Sequence, residues 1–242
     1  MVVGLTGCEF NSPVGSTASF TTPTTLILVV DSGLENTVVD PLARSNPWNA
    51  GTPDSLTISS GKFLVRSLQF VNIDDYTVDT DISAWDEQQD ENNSAIPFRG
   101  PYVMPVLGSA STNLGTRTVE VGDHNALSVV LHKGKETDDL GDDTDMIGRS
   151  VLVTGTVWYG GRSEAFVFDI DLRTEIIVTG DFTVPSSGLP EYVLKFNIGE
   201  WFRFGDQWLD PNKVENLSTI YRNVQRKIDG GRDYDCDGRI GD

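Results

Sequence analysis

Short runs rich in Val, Ile, Thr and Phe recur along most of this sequence, broken by Gly, Pro, Asn and Asp at spacings of about 8–12 residues. β-branched and aromatic side chains suit a pleated surface, and the punctuating residues suit tight turns. The stretch SLTISSGKFLVRSLQFVNI (55–73) alternates so that Phe63 and Val65, and after a shift Leu68 and Phe70, share one face. SVLVTGTVWYGGRSEAFVFDIDL (150–172) reads as a hairpin turning at Gly160-Gly161. TRTVEVGDHNALSVVLHKG (116–134) reads as another, turning at Gly122-Asp123-His124-Asn125. The apolar run 26–30 reads as a strand buried on both faces, and FRGPYVMPVLG (98–108) as a strand with a proline near each end. These and two later runs give roughly nine or ten strands before any helix. The expectation is an all-β fold, an antiparallel β-sandwich with one C-terminal α-helix.

That helix is marked by Asp210 as N-cap and Pro211 at the first helical position. Val214, Leu217, Tyr221, Val224 and Ile228 follow at spacings of three and four, and Asp229-Gly230-Gly231 is the stop. The expected organisation is an N-terminal arm (1–25), a sandwich (26–209) and a helix with a terminal loop (210–242).

Charge narrows the function. Acidic residues number 36 against 18 basic, a formal net charge of −18. Such a surface repels nucleic acid and anionic lipid, and it attracts cations. The acids cluster. Asp233, Asp235 and Asp237 occupy alternate positions in DYDCDG, followed by Gly238, Arg239 and Ile240. Calcium takes about 6–8 hard oxygen ligands, and a loop with carboxylates at positions 1, 3 and 5, a turn glycine at 6 and a backbone carbonyl at 7 wraps one ion. Arg239 would give that carbonyl. The bidentate acid of position 12 would fall beyond Asp242, so Asp242, at position 10, or a group from another loop or chain is the candidate replacement. The loop is expected to follow a helix. Asp138, Asp139, Asp142, Asp143 and Asp145 form a second candidate calcium loop, and 74–91 a weaker third. The alternative for both is a solvated acidic loop.

Two cysteines, Cys8 and Cys236, and two histidines, His124 and His132, are too few for a structural zinc site. The cysteines would pair within one chain or join neighbouring chains, where the compartment oxidises. Leu5-Thr6-Gly7-Cys8 also matches a bacterial lipobox, which makes Cys8 a candidate for lipid attachment, although no basic residue precedes it. No GxSxG, GxxxxGK[ST] or GxGxxG occurs. A non-enzymatic role is expected, with a glycosidase carboxylate pair the one chemistry the acids leave open. Five tryptophans, Trp48, Trp85, Trp158, Trp201 and Trp208, raise the alternative of glycan stacking.

Two resemblances add to this reading. FRGPYVMPVLG, LGTRTVEV, ALSVVLHKG, GRSVLVTGTVWYGG and LKFNIGEWF together resemble uncharacterised bacterial surface lipoproteins, which implies an exported β-sandwich and carries no activity. The DYDCDG loop resembles those of dockerin and thrombospondin type-3 modules, which implies a calcium-stabilised extracellular segment. The expectation is an exported calcium-binding structural or adhesive protein of the cell surface or extracellular matrix. The arm and strand 26–30 would add to a neighbour's sheet edge, making a filament subunit. The alternative is a carbohydrate-binding lipoprotein module.

Overall fold

Apolar side chains at every second position of a strand need a second apolar face to cover them. Two sheets do this for each other in the computed structural model, which describes residues 21–31, 52–78, 96–107 and 111–241. The larger sheet runs β7 (Arg162–Ile170), β6 (Val151–Tyr159), β2 (Ser55–Val71), β5 (Ala126–Leu131), β8 (Thr174–Thr179), with β3 (Phe98–Pro105) also paired to β2. The smaller runs β12 (Ile228–Asp233), β9 (Glu191–Asn197), β1 (Thr21–Asp31), β4 (Ser111–Glu120). A two-stranded ribbon, β10 (Arg203–Phe204) and β11 (Gln207–Trp208), leads to helix α1 (Val214–Arg226). The protein is an all-β sandwich with one helix, and neither sheet closes into a barrel.

Aromatic rings join the layers. Phe63 of β2 meets Phe196 of β9 at 4.6 Å between centroids and Trp201 edge-on at 5.7 Å. Phe70 meets Tyr192 edge-on at 5.0 Å. All except Phe70 are fully buried, and Phe70 nearly so. The phase shift along β2 is a bulge. Val65 pairs with Leu131 and Ser67 with the adjacent Val130, so Arg66 is the extra residue. At one seam the sheets touch backbone to backbone: a Cβ on Gly180 would lie 2.3 Å from the carbonyl oxygen of Gly230. Only glycine fits there.

Several expectations are corrected. β4 and β5 do not form a hairpin: they lie in different sheets, and the segment between them crosses from one layer to the other. All six residues of β5 are buried, so it needs an interior place, which it finds between β2 and β8. β1 begins at Thr21, not Leu26, where Thr22 donates its hydroxyl to Pro185 O at 2.6 Å. One face of β1 is fully buried, through Leu26, Leu28 and Val30, while Ile27 and Val29 on the other are half-buried.

The helix starts at Val214 rather than Pro211. Asp210 uses its carboxylate on Asn212 N–H and the Tyr159 hydroxyl, so it caps the preceding turn. The face that packs is Ile220, Asn223 and Val224; Val214 is 79% exposed. Asn223 Nδ2 donates to the carbonyls of Glu200, Trp201 and Arg203, which fixes the helix to the chain before it. Ile228 and the Gly-Gly pair belong to β12, a strand that the glycines had disguised as a helix stop. Ile220→Ala is expected to cost about 2–5 kcal/mol. Val214→Ser, an exposed change, is expected to stay within about 0.5 kcal/mol. Urea unfolding midpoints measure both.

Candidate metal centre

β12 delivers the DYDCDG loop. Its last residue, Asp233, is held by pairing with Glu191 of β9, and the chain then turns back. The loop therefore follows a strand, not a helix. The turn is closed on the first carboxylate: Asp233 Oδ1 accepts Cys236 N–H at 2.7 Å, and Oδ2 accepts Gly238 N–H at 2.8 Å. Asp235 Oδ1 accepts Asp237 N–H at 3.3 Å. Left-handed backbone makes this curl, at Cys236 (φ 60°) and Gly238 (φ 82°). Glycine takes that conformation freely; cysteine does so at a cost.

The result gathers three carboxylates. One oxygen from each of Asp233, Asp235 and Asp237 lies within 4.8 Å of the others, and among the described residues this is the group with the spacing to hold a metal ion. Asp233 is buried, and the other two face solvent. Carboxylate donors of this kind suit hard cations such as Ca2+ or Mg2+. Arg239, named for its carbonyl, turns its guanidinium to 3.6 Å from Asp237. Asp242 lies outside the described residues.

A fourth carboxylate stands beside these, one that sequence spacing could not reveal. Glu191 is the cross-strand partner of Asp233, 42 positions earlier by number (233 − 191). Burial raises its pKa, and the negative charge and hydrogen bond of Asp233 raise it further. A raised folded value means that this group favours the folded state below its unfolded pKa, and the benefit disappears as pH climbs through the raised value. Where both are ionised the pair repels, as like charges directly opposed in a sheet do.

The loop is pinned at four further places. Tyr234 donates its hydroxyl to Asp181 at 2.6 Å, and this bond, more than anything else, holds the Asp181 carboxyl below its usual range. That tether is present above the unfolded Asp pKa and fades as pH falls through the depressed folded value. Gly241 N–H reaches Arg232 O at 3.0 Å, and Ile240 lies over Gly231, where a Cβ would meet its side chain at 2.8 Å. Cys236 is disulfide-bonded. The only other cysteine of the sequence is Cys8, outside the described residues.

The second acidic loop is arranged differently. Asp138, nearly buried, accepts the Arg66 guanidinium at 2.6 Å and Lys135 N–H at 2.8 Å. Lys62 lies 2.8 Å from Asp143 and 2.9 Å from Asp145, and hydrogen bonds to both raise its pKa. Asp139 and Asp142 are exposed. Side-chain cations thus neutralise much of this loop, and its five aspartates are not brought to metal-binding distance of one another. Of the acidic stretch 74–91, residues 79–91 lie outside the described residues.

Trp201 is in the core, the Trp208 ring is covered by Arg203 at 4.1 Å, and Trp158 has its indole nitrogen buried. Trp48 and Trp85 lie outside the described residues. His124 meets the Glu120 carbonyl through Nε2, and His132 the Lys133 carbonyl through Nδ1. Among the described residues, no helix is long and apolar enough to cross a membrane.

Fold and site together define the class as an all-β sandwich with a three-aspartate cluster on a closed terminal loop. Compared with models of known protein families, with curated proteins and with solved structures, the chain matches none.

Proposed function

We propose that this is an exported, calcium-binding, non-enzymatic protein that serves as a structural or adhesive component at the cell surface or in the extracellular matrix, and that its copies assemble. The observation that carries the calcium reading is the Asp233, Asp235 and Asp237 cluster on a loop already closed by backbone hydrogen bonds. A loop held in this form without the ion loses less conformational freedom on binding it. Glu191 sets a further negative charge against Asp233 from the neighbouring strand. Calcium would relieve the repulsion between Glu191 and Asp233, so binding energy becomes folding energy. A disulfide at Cys236 fits an oxidising compartment, which supports export.

Glu191→Gln tests the repulsion between Glu191 and Asp233. Without calcium the variant is expected to melt up to about 3 °C higher at neutral pH, because a like-charge pair is gone. Its calcium-dependent gain is expected to shrink, because part of the repulsion that the ion relieves is already gone. Differential scanning calorimetry with calcium and with chelator reads both. Protease shaving of intact cells tests location: loss of the protein from cells that keep their cytoplasmic markers is the expected result, and full protection would refute surface display.

A further inference from the structure

The terminal loop does more than gather carboxylates: it stands over the outer face of the smaller sheet. On β9, Tyr192 and Leu194 point into the core, so Val193 and Lys195 point outward. Val193 is nevertheless buried: Ile240 comes down beside it, over its register partner Gly231. Loop and sheet face leave a cavity of about 630 Å3 between them. That size falls within the usual range of small-ligand sites, about 300–1,000 Å3. Its apolar lining is aliphatic, from Val29, Val193 and Ile240. Register sets Asp229, Lys195 and Val29 in one row across β12, β9 and β1. The polar groups at the cavity come in pairs. Lys195 Nζ lies 2.7 Å from Asp31, Asn197 Nδ2 donates to Asp229 at 2.7 Å, and Arg239 Nε lies 3.6 Å from Asp237.

We infer that this cleft binds a neutral, polyhydroxylated ligand, a saccharide. Each pair sets a hydrogen-bond donor beside an acceptor. A hydroxyl donates one hydrogen bond and accepts others, so adjacent sugar hydroxyls give to the carboxylate and take from its partner without breaking the pair. A charged ligand must displace one member of a pair and leave it without a partner, which costs more than a simple exchange of hydrogen bonds. Anions also meet the field of a chain with a formal net charge of −18. The C–H faces of a sugar ring cover Val29, Val193 and Ile240, and both surfaces gain by leaving water. Both walls stand ready. Asp31, Lys195 and Asp229 sit on paired strands, while Asp237 and Arg239 come from a loop whose turn is closed on the Asp233 carboxylate. Groups held in place before binding lose little freedom when the ligand arrives. The inference goes beyond the proposed function and does not rest on calcium, so a failed calcium titration leaves it standing.

The test follows the amide and methyl signals of the full-length, isotope-labelled protein by nuclear magnetic resonance, in chelator. The probes are the methyl glycosides of glucose, galactose and mannose, each at about 10 mM, ten times a dissociation constant of about 1 mM. Glucosamine and glucuronic acid at the same concentration are the charged contrasts. At least one neutral glycoside is expected to shift the signals of Val29, Val193, Lys195 and Ile240, and neither charged sugar is expected to bind as tightly. Asp229→Ala removes an acceptor at the sheet and Arg239→Met a donor at the loop, and both side chains are exposed, so the variants should fold. Each is expected to weaken binding about tenfold, as the loss of one hydrogen bond to a charged group does. The signal map of the unsubstituted protein stands whether or not the variants fold. No shift at the cleft with any of the three neutral glycosides would overturn the inference. So would tighter binding of a charged sugar, or undiminished binding by both folded variants.

Discussion

Calcium at about a thousand times its dissociation constant is expected to raise the unfolding midpoint of this protein by roughly 8–16 °C. An ion that binds only the folded chain at that excess contributes about 4 kcal/mol, and a chain of this length shifts by about 2–4 °C per kcal/mol. The expectation rests on the cluster of Asp233, Asp235 and Asp237 and on the loop bonds that hold it. The double variant Asp235→Asn and Asp237→Asn should lose nearly all of the increment. Both side chains are exposed, so the calcium-free variant should melt near the unsubstituted protein. Asp233 is the poorer choice, since its carboxylate also closes the turn. Calorimetry in calcium and in chelator measures the effect. Equal midpoints in the two would end the calcium reading and leave DYDCDG as a hydrogen-bonded acidic turn.

Arg66→Ala is expected to destabilise the protein by about 3 kcal/mol, a loss of roughly 6–12 °C. The substitution leaves the Asp138 carboxylate nearly buried, with the Lys135 backbone N–H but without its cation. An uncompensated charge in that setting costs far more than the net worth of the pair it came from. The loss should be the same with calcium and with chelator, because the 136–145 loop takes its counter-charge from Arg66 and Lys62. Lys62→Ala supplies the contrast: its pairs are exposed, and about 0–1 kcal/mol is expected. If Arg66→Ala instead abolished the calcium response, the ion would belong to the 136–145 loop.

Alternation in 55–73, with its phase change after Val65, located a strand, and the structure turns that change into a bulge at Arg66. Gly160-Gly161 located a true hairpin between β6 and β7. Both are local signals, carried by residues within a turn or two of one another. The supposed hairpin at Gly122-Asp123-His124-Asn125 failed because turn residues show that a chain reverses, not which sheet the next strand joins. β12 is not legible locally because its Gly-Gly pair, crowded by the side chains of Phe182 and Ile240, has the composition of a helix terminus. The stripe from Val214 to Ile228 had helical spacing, but which side meets the core depends on Asn223 and its three carbonyl partners, all from a distant segment.

The sequence by itself determined the class of fold and the candidate loop. β-branched residues at alternate positions and a DxDxDG spacing act over a few residues, where backbone geometry alone decides the outcome. Tertiary structure decided the rest. It set Glu191 against Asp233, gave the second acidic loop its cations, and placed the first strand between two others. Each of these joins residues far apart in sequence, and no local pattern encodes which distant strand becomes the neighbour.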